Sequence, residues 1–442
     1  MNSEQLPLPV CTAGGGFEVV CADCLEHMRT MPDDGVDAII TDPPYGLSFM
    51  GKEWDSFGSD TRQPGDDHYS VSDNAYGRSK VRYGHGSRFA DSMMAFQAAM
   101  TPIFEEALRV AKPGAHLLCF GGTRTFHRMA CAIEDAGWEI RDCIMWVYGS
   151  GFPKSMDVAK AIRRSGHDPG EWEGWGTCLK PAWEPIIVAR KPLDGTVAHN
   201  VLTWGVGALN IDACRVPIGN GDDVFAKNPH TRSKGKNSGI YGEYGAAESD
   251  WSGEKGRFPA NLVHDGSQMV LDLFPDTGKS SGGGRHTRGN PGEESTGVYG
   301  SFTGGTSTDH IGMGDSGSAA RFFNAFRVGE ASAQRSYADR GATDWDGRPG
   351  MRREPTSADR FFYCAKASKK ERGEGNSHPT VKPVALMKWL VRLVTPEGGV
   401  VLDPFAGSGT TLVACKMLGR KCVGIEREPE YVEIINQRLR SA

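Results

Sequence analysis

The run Ile39-Ile40-Thr41-Asp42-Pro43-Pro44-Tyr45-Gly46 sets a carboxylate, two prolines and a phenol directly after β-branched apolar residues. Successive prolines remove two backbone donors and hold φ at about −65°, so the chain must leave a sheet at once and keep its shape without ladder hydrogen bonds. Asp42 and the Pro43 carbonyl offer acceptors only, which suits a substrate group that is purely a donor, such as the exocyclic amine of a base. Tyr45 adds a π-face on which a planar ring stacks. Asp-Pro-Pro by itself is also ordinary turn chemistry. Far downstream, however, Val400-Val401-Leu402-Asp403-Pro404-Phe405-Ala406-Gly407-Ser408-Gly409-Thr410-Thr411 reads as a second apolar strand running into a glycine-rich loop and a helix. Two strand ends of complementary chemistry make a reaction centre.

The glycines after Asp403 let backbone approach a ligand closely. Glu426 ends the next strand, about 20 residues on, where a doubly wound fold binds ribose hydroxyls. The pair points to an adenosine derivative. The loop is Gly-x-Gly only, an incomplete dinucleotide fingerprint, and no Gly-Lys-Ser/Thr follows to bind a triphosphate, which demotes NAD and ATP. Cys21-x-x-Cys24-x-x-His27 opens with the spacing of a zinc knuckle. No second Cys pair or paired His follows at usable spacing, so no metal is expected.

The elements that must position these residues alternate. Strand 17–21, a helix with Leu25, Met28 and Met31 on one face, and the Asp42 strand come first. After a stretch at 47–92 rich in Gly, Ser, Asp and Arg, which reads as a mobile loop, follow helix 91–110, a turn at Lys112-Pro113-Gly114 and strand 116–120. Helix 126–136, strand 141–148, a further helix and strand 185–190 continue the pattern. Helix 384–394, the Asp403 strand, helix 410–418, strand 421–426 and a last helix from Pro429 complete it. Strands alternating with helices predict a parallel α/β sheet. Between 191 and 375 the rhythm is lost to Gly, Ser and Asn, and its middle reads as partly flexible. Residues 351–372 carry excess Lys and Arg interleaved with Phe361, Phe362 and Tyr363. That is a solvated face or a nucleic-acid surface.

At 442 residues and 38% hydrophobic content the chain can bury a large core and hold more than one domain. Its apolar runs are far shorter than the ~20 residues of a membrane span, and the polar start Met1-Asn2-Ser3-Glu4-Gln5 does not read as a signal peptide. The eleven cysteines are scattered and mostly apolar in context, as expected of a reducing cytoplasm. A net charge of -5 gives no global steering toward nucleic acid, so any such surface must be local.

Asp403-Pro404-Phe405-Ala406-Gly407-Ser408-Gly409-Thr410 resembles the S-adenosylmethionine loop of DNA amino-methyltransferases, and Asp42-Pro43-Pro44-Tyr45 resembles their catalytic tetrapeptide. The catalytic motif precedes the cofactor motif with a long variable region between, which is similar to the β group of that family. The resemblance covers roughly 17–190 and 376–440. It implies a circularly permuted, seven-stranded, Rossmann-like sheet: residues 1–190 as the catalytic half with its mobile loop, 191–375 as an inserted, loop-rich target-recognition region, and 376–442 as the cofactor half. It further implies that Asp403, Phe405, Gly407 and Gly409 cradle the methionine part of S-adenosylmethionine, Glu426 the ribose and Asp23 the adenine amine. Thr380 and Lys382 would approach the cofactor carboxylate. The alternative role of Asp23 is that of a helix cap.

The implied reaction is methylation of adenine N6 in double-stranded DNA. An aromatic amine is a poor nucleophile until acceptors bind its hydrogens, and Asp42 with the Pro43 carbonyl would supply them in a fixed orientation. What remains is in-line positioning against the sulfonium methyl. The base must be flipped from the duplex, with Tyr45 as its stacking partner. Asp in the first tetrapeptide position favours adenine over cytosine N4 by family tendency. A catalytically silent DNA-binding regulator would have no use for both motifs. Arg352, Arg353, Lys369, Lys370 and Arg372 are the expected phosphate contacts. The partners are double-stranded DNA and no membrane; a homodimer and a cognate restriction enzyme stay open, as does the recognition sequence.

Overall fold

The computed structural model describes residues 11–13, 16–46, 88–149, 155–216, 237–239, 242–244, 257–277, 294–297, 300–303, 317–325, 367, 372 and 375–442. The chain divides into two compact units. The first comprises Met1–Asn210, Asn261–Gly266 and Phe326–Ala442, and the second Ile211–Ala260 and Ser267–Ala325.

The first unit alternates strands and helices as the apolar periodicity predicts: β1 (Cys11–Ala13), β2 (Phe17–Cys21), α1 (Cys24–Met28), β3 (Val36–Thr41), α2 (Arg88–Val110), β4 (Ala111–Phe120), α3 (Phe126–Asp135), β5 (Glu139–Val147), α4 (Val158–Arg164), β6 (Trp183–Arg190) and α5 (Val197–Trp204). It continues with β7 (Leu262–His264), α6 (Val384–Val394), β8 (Val400–Asp403), α7 (Thr410–Met417), β9 (Lys421–Glu426) and α8 (Pro429–Ser441). Its sheet runs β1-β2-β9-β8-β3-β4-β6-β5-β7. β2, β9, β8, β3 and β4 are mutually parallel. β6 runs antiparallel to both β4 and β5. The two strands from the C-terminal end of the chain therefore stand between β2 and β3, and short β1 and β7 flank the expected seven.

Both faces of the sheet are covered, which is why its strands read as continuous apolar runs. Ile39, Leu117, Cys119, Ile187 and Ala189 share one core with Phe96, Met100, Phe104 and Ala107 of α2 and with Met129 and Ile133 of α3. Successive strand residues point to opposite faces, so the equally buried Ile40, Leu118 and Val188 face the other way. α2 lays its apolar residues on one stripe at three- and four-residue spacing, and the Trp138 indole donates to the Phe104 carbonyl at 3.0 Å.

Some elements differ from expectation. The turn expected at Lys112-Pro113-Gly114 lies inside β4, whose register with β3 shifts between Val36 and Ala38. Within 191–375, α5 and β7 both belong to the first unit. α2 begins at Arg88, inside the stretch read as loop to 92, and the rest of that loop lies outside the described residues. In the second unit Val216 and Arg257 form an antiparallel bridge, and strands Glu294–Gly297 and Gly300–Thr303 pair as a hairpin.

Candidate active site

The parallel strands β8, β3 and β4 carry their C-terminal tips to one edge of the sheet. Thr41, the last residue of β3, is fully buried, and its hydroxyl donates to Asp403 Oδ1 at 2.8 Å. Asp42 and the prolines leave the sheet immediately after it, and Gly46 closes the hook at φ 67°. A Cβ there would sit 2.9 Å from the Phe96 ring, so the turn needs glycine on both counts. Gly122, just after β4, makes room for Tyr45: its Cβ would lie 3.1 Å from Tyr45 Cδ2.

Around the hook lies a network of five side chains. Lys382 Nζ stands 2.7 Å from Asp42 Oδ2, 3.1 Å from Glu184 Oε2 and 3.2 Å from Tyr45 Oη. The Tyr45 hydroxyl donates to Asp42 Oδ1 at 2.8 Å, with Glu184 Oε2 at 3.3 Å as its alternative. Tyr148 donates to Glu184 Oε1 at 3.2 Å. The Lys382 ammonium also lies 4.7 Å from the centroid of Phe120, a cation–π distance. Burial pulls the Lys382 ammonium down, and the charges of Asp42 and Glu184 more than offset it, holding it above the ordinary lysine range. Burial, then the same two carboxylates, push the Tyr45 phenol well up.

The loop after β8 is tied from several sides. Asp403, 2% exposed, accepts from Thr41 at 2.8 Å, from the Phe405 amide at 3.2 Å and from Thr411 at 2.6 Å. Burial nonetheless raises its carboxyl to about 6. Glu426 accepts from the Gly407 amide at 2.8 Å and the Glu428 amide at 2.9 Å, and burial raises it to about 7. Gly407 and Gly409 have φ 54° and 77°. A Cβ on Gly407 would meet the His378 ring at 3.0 Å, and one on Gly409 would meet Ile435 of α8 at 2.9 Å. Arg438 of α8 donates to the Ser408 carbonyl at 2.6 Å, and Phe405 packs on the main core.

Asp42, Tyr45, Lys382, Asp403, Phe405, Gly407, Gly409 and Glu426 thus gather at or beside one sheet edge. Asp23 caps α1, its Oδ1 accepting from the Leu25 and Glu26 amides at 3.0 and 3.1 Å. Thr380 is exposed, and its carbonyl accepts from His378 Nδ1 at 2.6 Å in the tautomer that this contact assigns. Lys382, expected at the cofactor carboxylate, stands on Asp42 and Glu184. Arg372 donates to the His378 carbonyl. Arg352, Arg353, Lys369 and Lys370 lie outside the described residues. Cys24 is buried and its thiol is pushed up to about 12. Among the described residues no group of His, Cys, Asp and Glu could hold a metal, and no helix is long and apolar enough to cross a membrane.

Sequence reasoning missed Glu184 and Tyr148. The available signal was a single carboxylate immediately before the apolar run Pro185–Arg190.

The family model for DNA methylases matches residues 36–437. The chain belongs to the DNA methylase family. It is 21% identical over 426 residues to the Type II methyltransferase M.HindIII of Haemophilus influenzae, covering 95% of this chain and 93% of that protein. It is 45% identical over 77 residues to the Type II methyltransferase M2.DpnII of Streptococcus pneumoniae, covering 17% of this chain and 29% of that one. The solved PvuII DNA methyltransferase (cytosine-N4-specific) is 12% identical, with 96% of this chain and 86% of that chain covered and a TM-score of 0.41.

This methylase is an S-adenosylmethionine-dependent DNA amino-methyltransferase, of the family acting on adenine N6 or cytosine N4. The residues present fit the cofactor. A glycine loop after one parallel strand and a partly exposed carboxylate ending the next, Glu426, share the edge from which Asp42 emerges. When bound there, the sulfonium supplies an already activated methyl group.

Proposed function

We propose that this methylase modifies the N6 amino group of adenine, at a specific sequence in double-stranded DNA, after the base has been flipped from the helix. The observation that carries the reading is the buried Thr41–Asp403 hydrogen bond at 2.8 Å. It ties the strand bearing the amine acceptor to the strand bearing the cofactor loop, so that Asp42 and the loop present themselves side by side. Asp42 and the Pro43 carbonyl accept the two amino hydrogens and make the nitrogen lone pair available. Bound S-adenosylmethionine would supply the methyl to that pair and keep the C–S electrons on its sulfur, while the acceptors of this chain take up the N6 proton that leaves. Tyr45 stacks on the flipped ring.

Glu426 holds the ribose hydroxyls and Asp23 the adenine amine of the cofactor. Phe405, Gly407, Gly409 and Thr380 line the methionine part, and Asp403 acts there by bracing the loop. The placement of β8 and β9 inside the sheet supports the circularly permuted form of the fold. Target recognition belongs to 191–375, phosphate contact to the basic cluster from Arg352 to Arg372, and the Type II relatives support a place beside a restriction enzyme. Adenine rather than cytosine rests on Asp42 at the first tetrapeptide position. Incubating the protein with DNA and methyl-labelled cofactor, then digesting to nucleosides for mass spectrometry, tests it. N6-methyladenine is expected; N4-methylcytosine would reassign the base, and no transfer would refute the reading.

A further inference from the structure

We propose that Glu184 is a positioning residue for this reaction: it holds Lys382 against Asp42, and it receives the Tyr45 hydroxyl when a substrate amine takes Asp42 Oδ1. The inference deepens the functional reading and rests on it.

An account of donors and acceptors leads to it. The Lys382 ammonium has three hydrogens and three acceptors, Asp42 Oδ2 at 2.7 Å, Glu184 Oε2 at 3.1 Å and Tyr45 Oη at 3.2 Å. The Tyr45 hydroxyl has one hydrogen and two acceptors, Asp42 Oδ1 at 2.8 Å and Glu184 Oε2 at 3.3 Å. Both oxygens of Asp42 are therefore already held by protein donors. Each oxygen has two lone pairs, so an incoming amine shares one with a donor already in place, and that oxygen becomes the stronger acceptor once the protein donor turns away. Releasing Oδ2 would move a buried ammonium off its counter-charge, which is costly. Releasing Oδ1 needs only a turn of the Tyr45 O–H bond toward Glu184, with the ring itself unmoved. Glu184 cannot swing aside freely, because Tyr148 holds its other oxygen at 3.2 Å and packs on Trp146 at 4.9 Å between ring centroids.

The geometry is a product of strand direction. β6 is antiparallel to β4 with Ile186 opposite Phe120, so the residues preceding Ile186 project at the edge where Asp42 emerges. Had β6 run parallel, Glu184 would lie at the far end of the sheet.

Single-turnover methyl transfer by the full chain, with Glu184→Gln and Glu184→Ala, tests the proposal. Gln keeps the size and an acceptor for Tyr148; Ala removes both. The groups facing the Lys382 ammonium are Asp42 and Tyr45 of the hook, Glu184 of β6, Tyr148 after β5, and His378 of its own segment. Taking the Glu184 charge away leaves the ammonium easier to deprotonate, so the alkaline limb of the rate profile should move to lower pH in both variants. The rate should fall about 100-fold in Glu184→Ala, the scale of a small misplacement of reacting groups, and less in Glu184→Gln. Cofactor affinity, measured by calorimetry, should stay within about twofold, since no cofactor-loop residue is touched. Wild-type rates in both variants overturn the proposal. So does a slower rate with an unmoved alkaline limb, which is what a merely structural role produces. If the unaltered chain transfers no methyl to DNA, the functional reading has failed and takes this role with it; if it does and the variants match it, only the role of Glu184 has failed.

Discussion

Replacing Asp403 by Asn asks whether three hydrogen bonds fully offset the burial of one charge. The Asp403 carboxylate is 2% exposed and accepts from Thr41, Thr411 and the Phe405 amide. Those donors favour the charged form, yet burial outweighs them and lifts the carboxyl from its ordinary 3.8 to about 6. At ~1.4 kcal/mol per pH unit the gap corresponds to about 3 kcal/mol, as an order of magnitude. A carboxyl whose folded value lies above its unfolded value binds its proton more tightly when folded. The stability it contributes is complete below about pH 4 and is lost as pH rises through about 6. Asn has the same shape and no charge; its oxygen accepts from one threonine while its amide donates to the other. The wild-type chain and Asp403→Asn should therefore be denatured in urea from about pH 4 to about pH 8, with tryptophan fluorescence as the signal. Between those limits the stability difference should move by about 3 kcal/mol in favour of Asn. A difference that does not vary with pH would refute the reasoning, because burial and hydrogen bonding would then cancel.

Three further expectations concern the cofactor loop and the basic cluster. Glu426→Gln should weaken cofactor binding by ~1.5–3 kcal/mol through loss of a charged acceptor. In the unaltered chain affinity should fall as pH drops through about 7, where Glu426 takes up its proton. Calorimetry across that range checks both, and a pH-independent affinity would place the ribose elsewhere. Gly409→Ala should cost on the order of 1–3 kcal/mol from backbone strain at φ 77°, with more from the approach to Ile435 at 2.9 Å; an unchanged thermal midpoint would mean that α8 yields. Neutralising Lys369, Lys370 and Arg372 together should lower the salt slope of DNA binding by up to about 0.9 per lost contact and leave the methylated sequence unchanged. An unaltered slope would turn attention to Arg124, Arg128, Lys154, Arg163 and Arg164.

The sequence by itself determined where the two reacting strands end. A β-branched run stopped by Asp42-Pro43-Pro44 reads as a buried strand ending in a rigid hook, and an apolar run stopped by a Gly-x-Gly turn reads as another. Both signals are local, set by periodicity and by the φ that proline and glycine impose. The alternation of elements around them was legible for the same reason. Tertiary structure decided which side chains those tips meet. Lys382 is remote from Asp42 in the chain, and only the placement of its segment beside the hook shows that its ammonium stands on two carboxylates. Glu184 carried almost no local signal, since its place depends on β6 running against β4, and strand direction is not written in a strand's own residues. Asp403 shows the same division within one residue. Its position at the end of β8 was evident, and Thr411 reaches it from the helix that follows its own loop, but its engagement of Thr41 arises because parallel pairing sets β8 beside β3, and a short polar side chain in a packed interior bonds the donor that the neighbouring strand presents.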